Sequence, residues 1–407
     1  MTIAIEPSAR HGQDTTAGFA FTGRSTRSKP RLLLLLNDEK YFQVHRLDHA
    51  RAAKAAGMEV LVATHLETDG RWIEKEGFQY LPSPFVKGIR HPLKDLSAVV
   101  RLARLYRRAK PDIVHHFAMK PILYGSWAAR LAGVHAVTNT FAGLGTIYAK
   151  NGLITRVLRA GVTAGLRSAL AIRNSRVLFE NQADRERMVQ AKVVQSERTA
   201  VVGGTGVDVE KFRPKAEAEG VPVVLLACRM LWDKGVGDFV QAARFLKEQE
   251  VPARFVLVGT PDPDNPSSIS KGQLLSWQRD GAIEWWGYRD DMPDVLASSH
   301  IVALPTFYGE GLPRILLEAA ACGKPIIATN IPGCAEVVRS GSNGLLIPPK
   351  HPHALAEAMK ALIQNPSLRR TMGEKGRDIV MREFSVPSVS GQVLAIYREL
   401  LGVTVES

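Results

Sequence analysis

The chain has 407 residues, 45% of them apolar and 23% charged, a globular composition with enough apolar residues for two or three domains and a sizeable core. No apolar run approaches the roughly 18 residues needed to span a bilayer, and the amino terminus lacks the apolar core of a signal peptide, so a cytoplasmic chain is expected rather than a membrane-spanning or secreted one. The cysteines, Cys228, Cys322 and Cys334, are odd in number and lack metal-ligand spacing, which fits a reducing compartment.

The net charge of +13 is unevenly spread: residues 1–200 hold 31 Lys and Arg against 16 Asp and Glu, and residues 201–407 hold 22 against 24. Between Leu96 and Phe179 there are 13 basic residues and one acidic residue, Asp112. A solvated surface usually mixes its signs, so the first half is expected to face an anionic partner.

In chain order, residues 1–29 read as a disordered tail. "RLLLLL" is too short for a membrane span and reads as a buried strand. It is followed by "HRLDHARAAKAAG", "MEVLVATH", "DGRWIEKEG", "FQYLPSP", "LKDLSAVVRLARLYRRAK", "DIVHHF", "ILYGSWAARLAG", "HAVTNT", a long basic helix and "SRVLFE". Continuous apolar strands separated by helices that end in glycine imply a parallel sheet covered on both faces, so residues 30–202 form one doubly wound domain. Residues 203–220 break the pattern with Gly, Pro and charge and read as a linker. From "VPVVLLACRM" the alternation restarts, making residues 221–385 a second such domain, and 386–407 a terminal helix crossing back to the first. The fold class is therefore α/β: two doubly wound, Rossmann-like parallel-sheet domains facing a cleft, where ligands meet the carboxyl ends of strands.

Candidate chemistry follows the strands. After "VVLLAC" come Arg229 and Lys234, a fork and a point charge beside a helix start, which suit a diphosphate. In "YGEGLPRILLEAAACGKP" Pro313 suits the first helical position, which would aim the amides of Gly311 and Leu312 at an anion. Glu318, inside an otherwise apolar helix, needs a partner: a salt bridge, a cap, or a ribose diol whose two hydroxyls match its two oxygens. Glu310, in the loop, would face the cleft and hold a hydroxyl of a sugar.

These stretches, with "RMLWDKGVGDFVQAA", "EWWGYRDDMPDVL", "VALPTFYGEG", "IPGCAEVV" and "GSNGLLIPP", resemble retaining glycosyltransferase family 4, of the GT-B fold. In the first half, "PDIVHHFAMKPILYGSWAARLAG", "NTFAGLG" and "FENQADRERMV" are similar to the branch that builds capsule, exopolysaccharide and O-antigen units on a lipid carrier. The resemblance implies that the first domain takes the acceptor and the second a nucleotide sugar, with UDP favoured. It implies that Glu310 contacts the donor sugar, Glu318 the ribose, and Arg229 and Lys234 the diphosphate, while "WGYRDDM" with Gly287 and Tyr288 borders the base. It further implies transfer with retention and without a metal or other cofactor.

The first domain departs from the family's pattern in two places. "NDEKYFQVHR" replaces a glycine-rich loop, so acceptor contacts there are not carried over, and the family's His-x-His is here His115, His116, Phe117. Either histidine could line the cleft as a catalytic group, or be satisfied in the core. Lys120, Gly143 and Gly145 are candidates for acceptor or cleft contacts, the glycines through close approach to substrate or to the other domain rather than as a dinucleotide fingerprint.

The basic segment "NGLITRVLRAGVTAGLRSALAIRNSR" suits the inner face of an anionic membrane, which would make the protein peripheral, or a helix with its arginines in water. The partners expected are thus a nucleotide sugar, a lipid-diphosphate-linked saccharide and that membrane. A sugar-nucleotide 2-epimerase shares the architecture and is the alternative. A nucleic-acid binder shares the charge but lacks aromatic interleaving and recognition motifs.

Overall fold

The first strand, β1 (Arg31–Leu35), shows how the sheet is made: its leucines divide by parity. Leu32 and Leu34 enter one buried cluster and Leu33 and Leu35 another, on opposite faces. A strand that is apolar at every position is stable only where helices cover both faces, and each such side chain removed from water contributes about 1.5–3 kcal/mol. In the computed structural model, which describes residues 29–85, 92–144, 153–307 and 309–402, the same arrangement occurs twice.

The first sheet has seven parallel strands in the order β3-β2-β1-β4-β5-β6-β7: β2 Glu59–Thr64, β3 Gln79–Pro82, β4 Ile113–Phe117, β5 Ala136–Phe141, β6 Ser175–Phe179 and β7 Thr199–Val201. The second has six, ordered β10-β9-β8-β11-β12-β13: β8 Val223–Ala227, β9 Arg254–Val258, β10 Glu284–Trp285, β11 Ile301–Leu304, β12 Ile326–Thr329 and β13 Gly344–Ile347. In β8 the parity rule holds again, with Val224 and Leu226 in one cluster and Val223, Leu225 and Ala227 in the other. Each sheet reverses its winding beside its first strand, between β1 and β4 and between β8 and β11, where strands part and a crevice opens.

The chain passes between the sheets twice, and the two passages are bonded to each other. The Val207 amide donates to the Phe384 carbonyl (2.8 Å) and the Val386 amide to the Val207 carbonyl (3.0 Å). Beyond them the helix Val386–Leu401 packs on the helix Leu47–Ala55 and buries Val393, Leu394, Tyr397 and Leu400 in the first sheet's core.

"NDEKYFQVHR" is not an open loop. Asp38 caps a helix, Glu39–His45, by accepting the Tyr41 amide at 2.8 Å, which supplies a partner for one of the orphan donors of its first turn. That helix carries Tyr41 and His45, and Arg46 just beyond it, to the carboxyl end of β1.

Candidate functional site

A cavity of about 320 Å³ lies between the two domains at the carboxyl ends of β8 and β11. The second domain lines it with Cys228, Arg229, Lys234 and the run Glu310 to Ile315; the first domain contributes Tyr41, His45, Arg46, Ala142, Glu180 and Thr205. So Arg229, Lys234, Glu310, Gly311, Leu312 and Pro313 are brought together, although Arg229 and Glu310 are 81 positions apart in sequence.

Lys234 forms an ion pair with Glu310, both side chains being mostly buried, and the Thr306 hydroxyl donates to the same carboxylate at 3.3 Å. Arg229 is exposed and pairs with Asp262 at 2.7 Å. Lys234 is held by the turn Trp232–Lys234, and Gly235 closes that turn at φ +75°, where a Cβ would strike the Pro305 carbonyl. A cation on a short, pinned turn between two strand ends has little freedom to leave the cleft.

The start of the following helix differs from the sequence expectation. Pro313 is the residue before the helix Arg314–Ala321, not its first helical residue, with ψ at 112°. The orphan amides at the helix start are therefore those of Arg314 and Ile315, and both residues line the cavity. The Leu312 amide is instead directed at the carboxylate of Glu180, and the Gly311 carbonyl accepts from the Asn181 side chain at 3.3 Å. The Gly311 carbonyl and the Leu312 amide thus face the other domain, while both residues still line the cavity.

Glu318 is buried and has a partner one turn back: the Arg314 guanidinium, 2.7 Å away. Burial raises its pKa above the ordinary carboxylate range although Arg314 opposes the shift. Arg314 also donates to the Val44 carbonyl in the first domain. Glu318 is not among the residues that line the cavity; Arg314 stands between.

The histidines require a correction. His115 is 1% exposed, with Nδ1 2.5 Å from the Tyr397 hydroxyl and Nε2 2.6 Å from the Thr140 hydroxyl. His116 is fully buried, between Asn139 Oδ1 at 2.9 Å and the Tyr106 hydroxyl at 3.1 Å. Neither lines the cleft; His115 borders a void of about 10 Å³ behind Arg46. Burial pushes the pKa of His116 down to about 4 and that of His115 well below its ordinary value, so both rings are neutral members of the core. Strand alternation is the reason: with both faces of the sheet covered, consecutive histidines point into two different cores.

The other candidates are dispersed. Lys120 is at the start of the helix Met119–Ala132 with its ammonium 5.7 Å from the Phe85 ring. Gly287 takes φ +68° after β10 and exposed Tyr288 follows; neither these nor Lys120 line the cavity. Gly143, at φ +96°, lies against Gly311 across the domain boundary, where a Cβ would come within 3.1 Å of the Gly311 nitrogen. Gly145 lies outside the described residues. Among the described residues, no three or more His, Cys, Asp or Glu are grouped to hold a metal ion.

Sequence reasoning missed Arg46 and Glu180. The two form a sealed ion pair at 3.0 Å, and the same Arg46 nitrogen donates to the Tyr41 hydroxyl at 3.0 Å while the guanidinium stacks 4.5 Å from the Phe117 ring. Glu180 directly follows β6, so the rule that singled out Arg229, a charged residue at the end of an apolar strand, could also have found it.

Comparison with known proteins gives the family. Residues 221–365 match the family model "Glycosyl transferases group 1" and residues 31–174 match "Glycosyl transferase 4-like". The chain is a family 4 glycosyltransferase. The transferase is 27% identical over 342 residues, 81% of its length and 88% of the relative's, to N,N'-diacetylbacillosaminyl-diphospho-undecaprenol alpha-1,3-N-acetylgalactosaminyltransferase of Campylobacter jejuni. It is 24% identical over 320 residues, 76% of its length and 81% of the relative's, to UDP-Gal:alpha-D-GlcNAc-diphosphoundecaprenol alpha-1,3-galactosyltransferase of Escherichia coli. Its fold is that of a glycosyltransferase from Rickettsia africae (TM-score 0.73, 19% identity, 92% and 99% of the chains). It is also that of Anabaena HepE, solved with UDP and glucose (TM-score 0.70, 19% identity, 90% and 98%). Both domains of the transferase thus follow the GT-B architecture.

Proposed function

We propose that this glycosyltransferase moves a sugar, with retention of configuration, from a nucleoside diphosphate donor, UDP-linked by preference, to a saccharide carried on a lipid diphosphate. The observation that carries the reading is the convergence of Arg229, Lys234, Glu310 and the first two helical residues, Arg314 and Ile315, on one cavity. Two cations and a helix start supply the positive field that a departing diphosphate needs, preorganised and partly shielded from water. Glu310 then accepts from a donor-sugar hydroxyl while Lys234 turns to the phosphate. Glu318 takes the ribose diol together with Arg314, which stands between it and the cavity, and Gly287 and Tyr288 border the base.

In the reaction the bond from the anomeric carbon to the phosphate oxygen breaks as the acceptor oxygen attacks from the same face. The acceptor's proton passes to the leaving phosphate oxygen. No side chain is needed as nucleophile, so positioning and charge stabilisation account for the rate. The names of two relatives support a lipid-diphosphate acceptor, since both specify a diphosphoundecaprenol-linked sugar. Transfer is expected to persist in a chelator.

The membrane belongs to the same reading. Among the described residues no helix is long and apolar enough to cross a bilayer. The helix Leu153–Ala169, however, exposes Val157 and Leu158 beside Arg156. An apolar pair beside a cation suits an anionic lipid surface, where each nearby basic residue contributes about 1 kcal/mol. Sedimentation with phosphatidylglycerol vesicles at low salt, falling as salt rises, is the expected result; no sedimentation at low salt sinks this part.

The donor assignment is tested by a thermal-shift screen of nucleoside diphosphates and their sugars. Stabilisation by at least one series is expected, and no shift with any of them ends the reading. Conversion of a donor to its epimer without acceptor, followed by nuclear magnetic resonance, replaces it with the epimerase.

A further inference from the structure

The loop that carries Glu310 is held by the other domain. Its next residue, Gly311, is enclosed on both sides: a Cβ there would come within 2.6 Å of the Glu180 carboxylate and 2.7 Å of the Ala142 backbone. From the second domain, a Cβ on Gly333 would come within 2.3 Å of the Gly311 carbonyl oxygen. The Asn181 side chain donates to that carbonyl at 3.3 Å, and the Leu312 amide is directed at Glu180. Nearby, the Gln182 amide donates to Glu336 at 2.6 Å, so two consecutive residues after β6, Asn181 and Gln182, bond across the boundary, beside Glu180, which lies against Gly311. Within the second domain, by contrast, Glu310 meets Lys234 and Thr306 through its side chain.

We propose that Glu180 and Asn181 are positioning residues for Glu310: by gripping the backbone of Gly311 and Leu312 they set the carboxylate that meets the donor sugar, so the sugar site is complete only when the two domains are closed. Arg46 completes the grip. Its guanidinium pairs with Glu180, donates to Tyr41 and lies against Phe117, which fixes the carboxylate in the orientation that faces Leu312. Were the domains to part, the Gly311 carbonyl and the Leu312 amide would exchange these partners for water, while the Arg46–Glu180 pair would stay whole within the first domain. The diphosphate contacts, Arg229 and Lys234, belong to the second domain alone. A donor could therefore bind to the open protein through its nucleotide while its sugar lacked a set Glu310, which would limit hydrolysis before the acceptor arrives.

This inference rests on the transferase reading above and predicts a division between binding and turnover. The variants are Asn181→Ser, which keeps a side chain able to cap the helix Gln182–Gln190 but is too short to reach Gly311, and Glu180→Ala. For each, UDP affinity by calorimetry and kcat for transfer to a lipid-diphosphate acceptor are measured on the full chain. The expected result is UDP affinity within about 3-fold of the unaltered chain, and kcat lower by about 10-fold for Asn181→Ser and more for Glu180→Ala. Adding Asn181→Ser to Glu310→Gln should cost no further activity, because both act through the same carboxylate. Loss of UDP affinity equal to the loss of kcat, or unchanged kcat in Asn181→Ser, overturns the proposal, as does full additivity with Glu310→Gln. If Glu180→Ala does not fold, Asn181→Ser decides alone, since it leaves the buried ion pair intact. An unaltered chain that binds no nucleoside diphosphate and transfers no sugar sinks the transferase reading instead, which keeps the two failures apart.

Discussion

Two arginine–glutamate pairs flank the same cleft, one from each domain. Arg46 and Glu180 stand 3.0 Å apart with side chains 4% and 6% exposed; Arg314 and Glu318 stand 2.7 Å apart at 30% and 11%. The first pair is nearly closed to solvent, so removing either member leaves a buried charge with only weaker partners, the Tyr41 hydroxyl for Arg46 or the Leu312 amide for Glu180. The second pair buries its glutamate but keeps its arginine in contact with solvent, so the arginine can change partners when another polar group takes its place on Glu318. A sealed pair suits a fixed scaffold, and a half-open pair suits a place where a ligand's hydroxyls come and go.

Breaking the sealed pair should have the largest effect. Arg46→Ala is expected to destabilise the fold by about 3–5 kcal/mol, read from denaturant midpoints, whereas replacing both members with methionine should be far milder. If the single and double replacements cost the same, burial of a lone charge is not the reason the pair exists.

Acid probes the sealed core by another route. His116 is held neutral with its pKa pushed down to about 4, and burial also lowers those of His115 and His49. Below the ordinary value of about 6.5 the unfolded chain takes up protons that the folded chain refuses, so stability present above that pH is lost as pH falls toward 4. For His116 alone the loss is about 3 kcal/mol. Urea midpoints at pH 7 and 4.5 check it, and His116→Gln should flatten the slope; an unchanged slope would place the acid sensitivity elsewhere.

On the open side the effect should move from stability to ligand. Glu318→Ala is expected to change stability by less than about 1 kcal/mol and to weaken nucleoside diphosphate binding by about 10-fold, one charged hydrogen-bonding group being worth about 1.5–3 kcal/mol. Calorimetry with UDP and with its diphosphate portion alone separates a ribose contact from a phosphate contact. A drop in stability as large as that of Arg46→Ala would erase the contrast between the pairs. The smallest effect belongs to the exposed pair Arg229–Asp262, where Asp262→Ala should shift stability by less than about 0.5 kcal/mol and the shift should shrink further in high salt.

The alternation of apolar strands and helices was legible residue by residue, because a strand such as "RLLLLL" carries in its own composition the requirement to be covered twice. The cluster Arg229, Lys234 and Glu310 was legible because each follows a strand, and strand ends of parallel sheets meet at one edge. Pro313 was placed one position too far into its helix, since a proline fits equally at the position before, and only its ψ of 112° decides. His115 and His116 misled because a polar residue on an apolar strand looks exposed to reagents until its neighbours are known. Tyr397, which stands against His115, is 282 positions away.

The sequence by itself determined the class of fold, the family and the residues of the second domain that converge on the cleft, because these depend on local composition and on motifs within a few turns of one another. Only the tertiary structure decided what faces them. Arg46 and Glu180 are 134 positions apart, and Asn181 and Gly311 are 130. No local pattern joins such partners, because each pairing is selected by a desolvated charge or backbone carbonyl that must find a partner, within the first domain for Arg46 and Glu180 and across the domain boundary for Asn181 and Gly311.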